Sequence, residues 1–179
     1  MSKKIVILSS TPRRGGNSEL LCEQISAGAK DAGHQVNKIF IRDYKINYCT
    51  GCGVCFNGGK SCPQQDDMAE ILDRMVAADV IVMATPVYFY TMSGQMKTLI
   101  DRTCARYREI RKKEFYFVVA AADSNLKAME RTIESFRGFT SCLDEAVEKG
   151  VLYGTGAWAK GEIKKSDTYN RAYEMGRMI

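Results

Sequence analysis

Four cysteines lie close together in the segment YCTGCGVCFNGGKSCP, which runs from position 48 to position 63. Their spacing is Cys-x2-Cys-x2-Cys-x6-Cys, and they are Cys49, Cys52, Cys55 and Cys62. A [4Fe–4S] cluster takes four cysteine thiolates, and three thiolates at this short spacing can wrap one face of it. The longer gap contains Gly58 and Gly59, whose freedom would let Cys62 turn back to the same centre. The pattern therefore allows one cluster.

Two other interpretations of the same cysteines stay open. Structural zinc usually takes two separated Cys-x2-Cys pairs or histidine partners, and His34 is the only histidine. Cys-x2-Cys can also be a redox pair with a lowered thiol pKa, or the four thiols can simply be reduced and packed. Spacing alone is weak evidence for the identity of a metal. The iron–sulfur cluster, the zinc site and the free thiols therefore all remain as interpretations.

The elements that must position this segment follow from hydrophobic patterning. Short apolar runs alternate with amphipathic segments along the whole chain, which favours a doubly wound parallel sheet with helices on both faces. The predicted strands are 3–9, 35–41, 80–84, 115–121 and 151–153. The predicted helices begin near Asn17 and at Asp66, and span 93–105, 126–146 and 168–178. In such sheets ligands bind beyond the carboxyl ends of the strands.

The loop after the first strand, SSTPRRGGNS at positions 9–18, leads into a helix N-terminus. Unpaired N–H groups and the positive end of the helix dipole suit a phosphate there. Neither GxxxxGK[ST] nor GxGxxG is present, which argues against ATP and against a dinucleotide in the usual turn. The alternative is a capped helix after a glycine turn.

The loop after the third strand contains three consecutive aromatic residues, in TPVYFYTMSG at positions 85–94. Their flat faces suit a planar cofactor ring, which backbone N–H groups of residues 85–90 would bond, although such residues also pack in cores and interfaces. This loop and the phosphate loop would lie side by side, as at the FMN site of flavodoxin, which is a known example of the arrangement.

Four segments carry a resemblance to a known family: SSTPRRGGNS, CTGCGVC with DDM downstream, ATPVYFYTMSGQMKTLIDR and GTGAWAKGEI. The chain resembles the NAD(P)H-dependent FMN reductase branch of the flavodoxin-like superfamily. Its cysteine loop is similar to that of iron–sulfur flavoproteins, which pair FMN with a [4Fe–4S] cluster. The resemblance implies a single flavodoxin-like FMN-binding domain over residues 1–179, with five parallel strands in the order 2-1-3-4-5.

The resemblance also implies site residues. The FMN phosphate would lie on Ser9, Thr11, Arg13, Asn17 and Ser18. The ring would lie against the segment Thr85, Pro86, Val87, Tyr88 and Phe89, with Ala121, Ala122 and Asp123 near its edge. The cluster ligands would be Cys49, Cys52, Cys55 and Cys62. Trp158 is predicted to pack near the end of the sheet, with a place in the flavin pocket as the alternative.

The predicted function is that of an FMN-dependent oxidoreductase. NAD(P)H would deliver hydride to the flavin, which would reduce an unknown acceptor, through the cluster if one is present. No general acid or base is required, so no catalytic residue is predicted. The main alternative is a flavodoxin-like electron carrier without its own substrate. Such carriers are usually acidic, whereas this chain has a net charge of +5. A flavin-free structural or zinc-binding protein is the third interpretation.

Composition narrows the setting. The scattered charge lacks the basic stripe of a nucleic-acid binder, and no apolar run has transmembrane length, so neither nucleic acid nor membrane is an expected partner. Without a recognisable signal peptide the protein is expected to be cytoplasmic, where cysteines stay reduced or bind metals. The apolar aromatic loop predicts burial by a second subunit, in a homodimer or homotetramer.

Overall fold

The computed structural model describes residues 1–56 and 61–179. Its strands are β1 (Lys4–Ser9), β2 (Gln35–Phe40), β3 (Val80–Tyr88), β4 (Thr91–Met92), β5 (Glu114–Ala120) and β6 (Val147–Gly154). Its helices are α1 (Asn17–Asp31), α2 (Met68–Ala77), α3 (Gly94–Arg102), α4 (Leu126–Thr140) and α5 (Asp167–Met178). The predicted alternation of strands and helices is confirmed.

The sheet has parallel pairs in the order β2-β1-β3-β5-β6, and β4 pairs antiparallel with β3. It therefore differs from the predicted five-stranded order 2-1-3-4-5 by a sixth, short strand. The segment predicted to be a plain loop is instead a hairpin, because Phe89 and Tyr90 adopt φ values of 49° and 63° and turn the chain back on β3. Non-glycine residues seldom take that conformation, so the sequence gives no sign of it.

Apolar side chains fill both sides of the sheet because successive residues of a strand point to opposite faces. In β1, Ile5 and Ile7 pack on the side of α1 and α5, whereas Val6 and Leu8 pack with α2, α3 and α4. Both faces are buried, which is why the central strands appear in the sequence as continuous apolar runs. Within the described ranges, none of the helices combines the length and apolar character needed to cross a bilayer.

Two element boundaries near the C-terminus differ from the prediction. Helix α4 ends at Thr140 rather than continuing to 146, and the last strand begins at Val147 rather than at 151. The first residues of β6 include Glu148 and Lys149, both exposed at the edge of the sheet. An edge strand tolerates such charged residues. Because they interrupt the apolar run, the sequence pattern did not predict the first part of this strand.

Helices α1 and α5 approach closely at two glycines. A Cβ atom on Gly28 would lie 2.0 Å from the carbonyl oxygen of Tyr173, and one on Gly176 would lie 2.1 Å from the carbonyl oxygen of Ile25. Neither obstacle is a flexible side-chain end, so a larger residue must push the helices apart. The pair of glycines therefore sets the distance between these two helices.

Gly28→Ala is expected to lower the free energy of unfolding by about 1–3 kcal/mol, the usual cost of overpacking. Gly138→Ala is the matched control, because a Cβ there meets nothing within 4 Å and alanine favours the helix by about 0.5–1 kcal/mol. Urea unfolding of both variants measures the difference. A Gly28→Ala protein as stable as the control would contradict the close approach of α1 and α5.

Candidate flavin site and cysteine loop

One cavity of about 390 Å³ opens beyond the carboxyl ends of the strands. Its size lies within the range of small-molecule and cofactor sites. Its walls come from the loop after β1, the end of β3, the segment after β5 and the segment after β6. The lining residues are Thr11, Arg13, Asn17, Ser18, Pro86, Val87, Tyr88, Ala120, Ala122, Ala157 and Trp158. Eight of them belong to the predicted cofactor-binding set.

Two buried hydroxyl groups lack ordinary partners, one at the end of β1 and one in the first turn of α1, where Ser18 lines the cavity. Ser18 Oγ has no hydrogen bond within the described ranges, and Ser9 Oγ has only the weak thiol of Cys22 beside it. Buried polar atoms are normally paired, so an unpaired hydroxyl at the start of a helix indicates a place for a ligand oxygen. The neighbouring Gly16 admits no side chain, since a Cβ there would lie 2.7 Å from Thr11 Oγ1.

Of the arginines near the first turn of α1, two form ion pairs within the described part of the chain and one does not. Arg14 pairs with Asp43 at 2.6 Å, and Arg42 pairs with Glu19 at 2.6 Å. Arg13, which was predicted to bind phosphate, is exposed and forms no ion pair with any described carboxylate. Its guanidinium is therefore available to an anion in the cavity.

Asn17 lines the cavity, but its side chain is already engaged elsewhere. Nδ2 donates to the carbonyl oxygens of Ala157, at 2.9 Å, and Ala159, at 3.0 Å, and Oδ1 accepts from the backbone N–H of Ile163 at 3.3 Å. Both amide hydrogens are therefore used. What Asn17 retains for a phosphate is its backbone N–H in the first turn of α1.

At the other end, Pro86, Val87 and Tyr88 form an apolar wall. Thr85 is fully buried behind it, where its Oγ1 accepts from the backbone N–H of Ser93 at 2.9 Å and shapes the hairpin. Phe89 is 100 % exposed and lies outside the lining. This end therefore offers an apolar surface, whereas the other end is polar.

Three predicted residues follow β5, and only Ala122 lines the cavity. Ala121 is held by the backbone, since its N–H donates to Gly154 and its carbonyl accepts from Ala157. Asp123 is exposed, and its Oδ1 caps the turn by accepting from the N–H of Asn125 at 2.8 Å. The small side chains here leave room at the edge of the cavity rather than supplying polar groups.

The sequence prediction missed Ala120 and Ala157 and misjudged Trp158. The indole is 79 % exposed and lines the cavity, so it is not the packing residue that was predicted. The signal was present in GTGAWAKG, a glycine-rich segment after the last strand. Since every strand of a parallel sheet ends at the same edge, such a segment belongs with the other two loops.

The four predicted cluster ligands are not gathered around one point. Cys49 and Cys52 are exposed and Cys55 and Cys62 are half-buried. Over residues 1–56 and 61–179, no group of three or more Cys, His, Asp or Glu side chains is placed to hold a metal ion. Neither the cluster nor a zinc site is therefore assembled, and Gly58 and Gly59 lie outside the described residues.

A fifth cysteine, Cys104, lies beside this loop and lines a small cavity together with Cys55 and Phe56. Burial, together with the nearby Cys55 thiol, raises the pKa of Cys104 to about 11. Burial likewise raises the pKa of Cys22, which lies beside Ser9, to about 12. Both thiols stay protonated near neutral pH, so neither is a ready nucleophile.

A buried ion pair fastens both flanks of the cysteine loop to α3. The side chains of Arg102 and Asp66 are only 2 % and 1 % exposed and form two hydrogen bonds, of 2.6 and 2.9 Å. Arg102 also donates to the carbonyl oxygen of Asn47 at 2.6 Å, and Asp66 accepts from the N–H of Asn47 at 2.9 Å. Burial opposes ionisation of Asp66, but these hydrogen bonds and Arg102 outweigh it and lower its pKa.

Asp66→Asn is expected to lower the free energy of unfolding at neutral pH by about 3–5 kcal/mol, because it leaves the Arg102 guanidinium buried without a countercharge. Lys97→Ala, which breaks the exposed pair with Asp101, is the control and should cost about 0.5 kcal/mol or less. Denaturant unfolding measures both.

The pH dependence gives a second test of the pair. Because the folded pKa of Asp66 lies below its unfolded value, its stabilisation is complete above the ordinary pKa of about 3.9 and is lost as pH falls toward the folded pKa. The native protein should lose this component in that acidic window, and Asp66→Asn should not. Parallel stability curves for the two proteins would contradict the pair.

Comparison with known proteins gives one family. The sequence model described as "NADPH-dependent FMN reductase" matches residues 3–144. An iron–sulfur flavoprotein of Archaeoglobus fulgidus is 39 % identical over 99 residues, which cover 55 % of this chain and 44 % of that protein. An iron–sulfur flavoprotein of Methanocaldococcus jannaschii is 34 % identical over 141 residues, covering 76 % and 70 %. The match thus spans less than half of the first relative's length.

Solved structures share the fold. An NAD(P)H:quinone oxidoreductase from Methanothermobacter marburgensis superposes with a TM-score of 0.76 at 17 % identity, covering 99 % of this chain and 96 % of that one. An azoreductase from Bacillus anthracis gives a TM-score of 0.78 at 16 % identity over the whole of both chains. At such low identity these likenesses concern the fold alone.

Proposed function

We propose that this chain, which belongs to the NADPH-dependent FMN reductase family, is an FMN-dependent oxidoreductase with NAD(P)H as its electron donor. The family match confirms the resemblance that the sequence segments indicated. The observation that carries the proposal is the cavity itself, which has an unpaired buried hydroxyl at one end and an apolar wall at the other. A phosphate-bearing, planar, largely apolar cofactor has this distribution of chemistry.

The residues present fit FMN. Ser18 Oγ, the free N–H groups of the first turn of α1 and the unpaired Arg13 would hold the phosphate. The wall Pro86–Tyr88 would support the ring, and the small Ala122 would leave its edge open. FMN supplies the hydride and electron chemistry, whereas the protein binds it, orients it and limits its access to water. No side chain is required as a general acid or base.

The alternative of a flavodoxin-like carrier without its own substrate is less well supported. Members of the matched family are described as reductases, and the net charge of +5 differs from the acidic surface expected of a carrier. Relatives carry the names of oxidoreductases as well, including a putative NAD(P)H-dependent FMN-containing oxidoreductase of Bacillus subtilis at 32 % identity. Direct oxidation of the nicotinamide nucleotide distinguishes the two.

A [4Fe–4S] cluster in the cysteine loop is a finer proposal with mixed support. The spacing of the four cysteines and the names of several relatives favour it. The described thiols are not arranged as a ligand set, which counts against it. Free thiols are the competing interpretation, so no electron path through the loop is assigned.

The principal experiment is anaerobic purification followed by titration of the FMN-loaded protein with NADPH and NADH. We expect bound FMN in about one copy per chain and loss of the oxidised flavin absorbance with one or both nucleotides. A protein that retains no flavin, or whose flavin neither nucleotide reduces, would overturn the proposal. Iron and labile sulfide assays on the same sample decide the cluster: about four irons per chain support it, and none refutes it.

A variant ties the flavin to the proposed phosphate site. Ser18→Ala should weaken FMN binding by about tenfold to a hundredfold, the worth of a hydrogen bond to a charged group, and should leave riboflavin binding unchanged. Ser135→Ala, on the exposed face of α4, is the control. Equal losses for FMN and riboflavin would show that Ser18 does not contact the phosphate.

A homodimer or homotetramer, and a single domain over residues 1–179, stay predictions. The hairpin formed by β3 and β4 carries Tyr88, Phe89 and Tyr90, with exposed fractions of 39, 100 and 51 %. Exposed aromatic side chains in one run are typical of a surface that another subunit covers. Light scattering should give a multiple of the 20.0 kDa chain mass. A monomer at working concentration would contradict the prediction.

A further inference from the structure

We propose that residues 156–160, which follow β6 and are named here the cover segment, are a built part of the flavin site. In this arrangement Trp158 contacts the bound cofactor, Lys160 supplies a cation to its phosphate, and Asn17 is the positioning residue that holds the segment in place. The inference rests on the proposed function and assigns to it three residues with separate tasks.

The cover segment is fixed to the rest of the site by hydrogen bonds from both sides. Asn17 is 4 % exposed, and its side-chain amide group donates to the carbonyl oxygens of Ala157 and Ala159. On the other side, the N–H groups of Gly156 and Ala157 donate to the carbonyl oxygens of Asp123 and Ala121, at 3.2 and 3.0 Å. The segment is therefore joined to α1 and to the end of β5 at once.

The same contacts explain why Asn17 is needed. An asparagine side chain can donate two hydrogen bonds and accept at its oxygen, and Oδ1 here accepts from Ile163, just beyond the cover segment. One buried amide thus holds two carbonyls and one N–H of a distant stretch of chain. Alanine would leave these backbone groups without their partner, and aspartate would offer no donors to the two carbonyls.

Trp158 is exposed although its neighbours are fixed. Ala157 is 7 % exposed and buried against the sheet, whereas the adjacent indole is 79 % exposed and faces the cavity. Tryptophan usually buries its large apolar surface, so an exposed indole on an anchored backbone indicates an apolar partner that binds there. The flat ring system of a flavin is such a partner. Because the backbone is already ordered, little conformational entropy is lost on binding.

Lys160 lies against the loop that would hold the phosphate. Its Cε and Nζ lie 3.0 and 3.6 Å from the position that a Cβ on Gly15 would occupy, so its side chain packs on the loop after β1. The ammonium group forms no ion pair with any described carboxylate, whereas Arg14 and Arg42 of the same region are paired with Asp43 and Glu19. Lys160 and Arg13 are thus the cations left to offset a phosphate dianion.

The test compares FMN with riboflavin, which lacks the phosphate, by calorimetric titration of the apoprotein. Trp158→Ala should weaken both ligands by about tenfold, in line with the worth of an aromatic contact and its buried area. Lys160→Met should weaken FMN alone, by about threefold to tenfold, with a smaller effect at high salt. Lys164→Met, in the adjacent 3₁₀ segment Glu162–Lys165, is the matched control and should change neither affinity.

Asn17 needs a readout that simple destabilisation would not change. Trp158 is the only tryptophan of the chain, so its fluorescence anisotropy reports the mobility of the cover segment directly. Asn17→Ala and Asn17→Asp should both lower this anisotropy in apoprotein that circular dichroism shows to be folded, and both should weaken FMN binding. Unchanged anisotropy in the folded variants would overturn the positioning role.

The remaining outcomes separate this inference from the proposed function. If the native protein binds FMN and Trp158→Ala binds both ligands as tightly as the native protein does, the cover segment is not part of the site, although the flavin assignment stands. If Lys160→Met weakens FMN and riboflavin equally, the phosphate role is wrong. If the native protein binds neither ligand, the proposed function itself fails.

Discussion

The register of the parallel strands is the constraint on which the site depends. Ser9 pairs with Ala84 at the end of β1, Pro86 with Ala120 along β3, and Ala120 with Gly154 at the end of β6. Because these pairings place the carboxyl ends of β1, β3, β5 and β6 at one edge, four loops of unrelated sequence meet there. A shift of one strand by a residue would exchange its two faces and dissolve the cavity.

The hydrogen-bond partners of the buried hydroxyl groups show which of them stabilise this edge of the sheet and which is available to a ligand. Ser10 Oγ donates to the carbonyl oxygen of Ala84 and accepts from Ser93 Oγ. The backbone N–H of Ser93 donates to Thr85 Oγ1. These buried groups are satisfied within the protein, and they join the loop after β1 to the hairpin after β3. Ser18 is equally buried and has no such partner within the described ranges. Residue type alone does not distinguish these roles, whereas the partner of each oxygen does.

The sequence predicted what local pattern determines and missed what distant contacts determine. The run at Val80–Met83 predicted a buried strand because both of its faces are covered, whereas only Tyr88 of the three consecutive aromatic residues that follow it lines the cavity. The hairpin was not predicted, because it depends on positive φ values at two aromatic residues, and residues of this type seldom adopt them. The role of Asn17 depends on carbonyl groups 140 and 142 residues away, and no pattern near position 17 encodes them.

Helix α3 relates the cavity to the cysteine loop. Its N-cap, Ser93, belongs to the hydrogen-bond network behind the apolar wall, and its last residue, Arg102, holds both flanks of the loop through Asp66 and Asn47. Nine helical residues separate these ends by about 13 Å. The fold thus joins two chemically different segments to opposite ends of one helix, because Ser93 belongs to the network behind the wall of the cavity and Arg102 to the flanks of the cysteine loop.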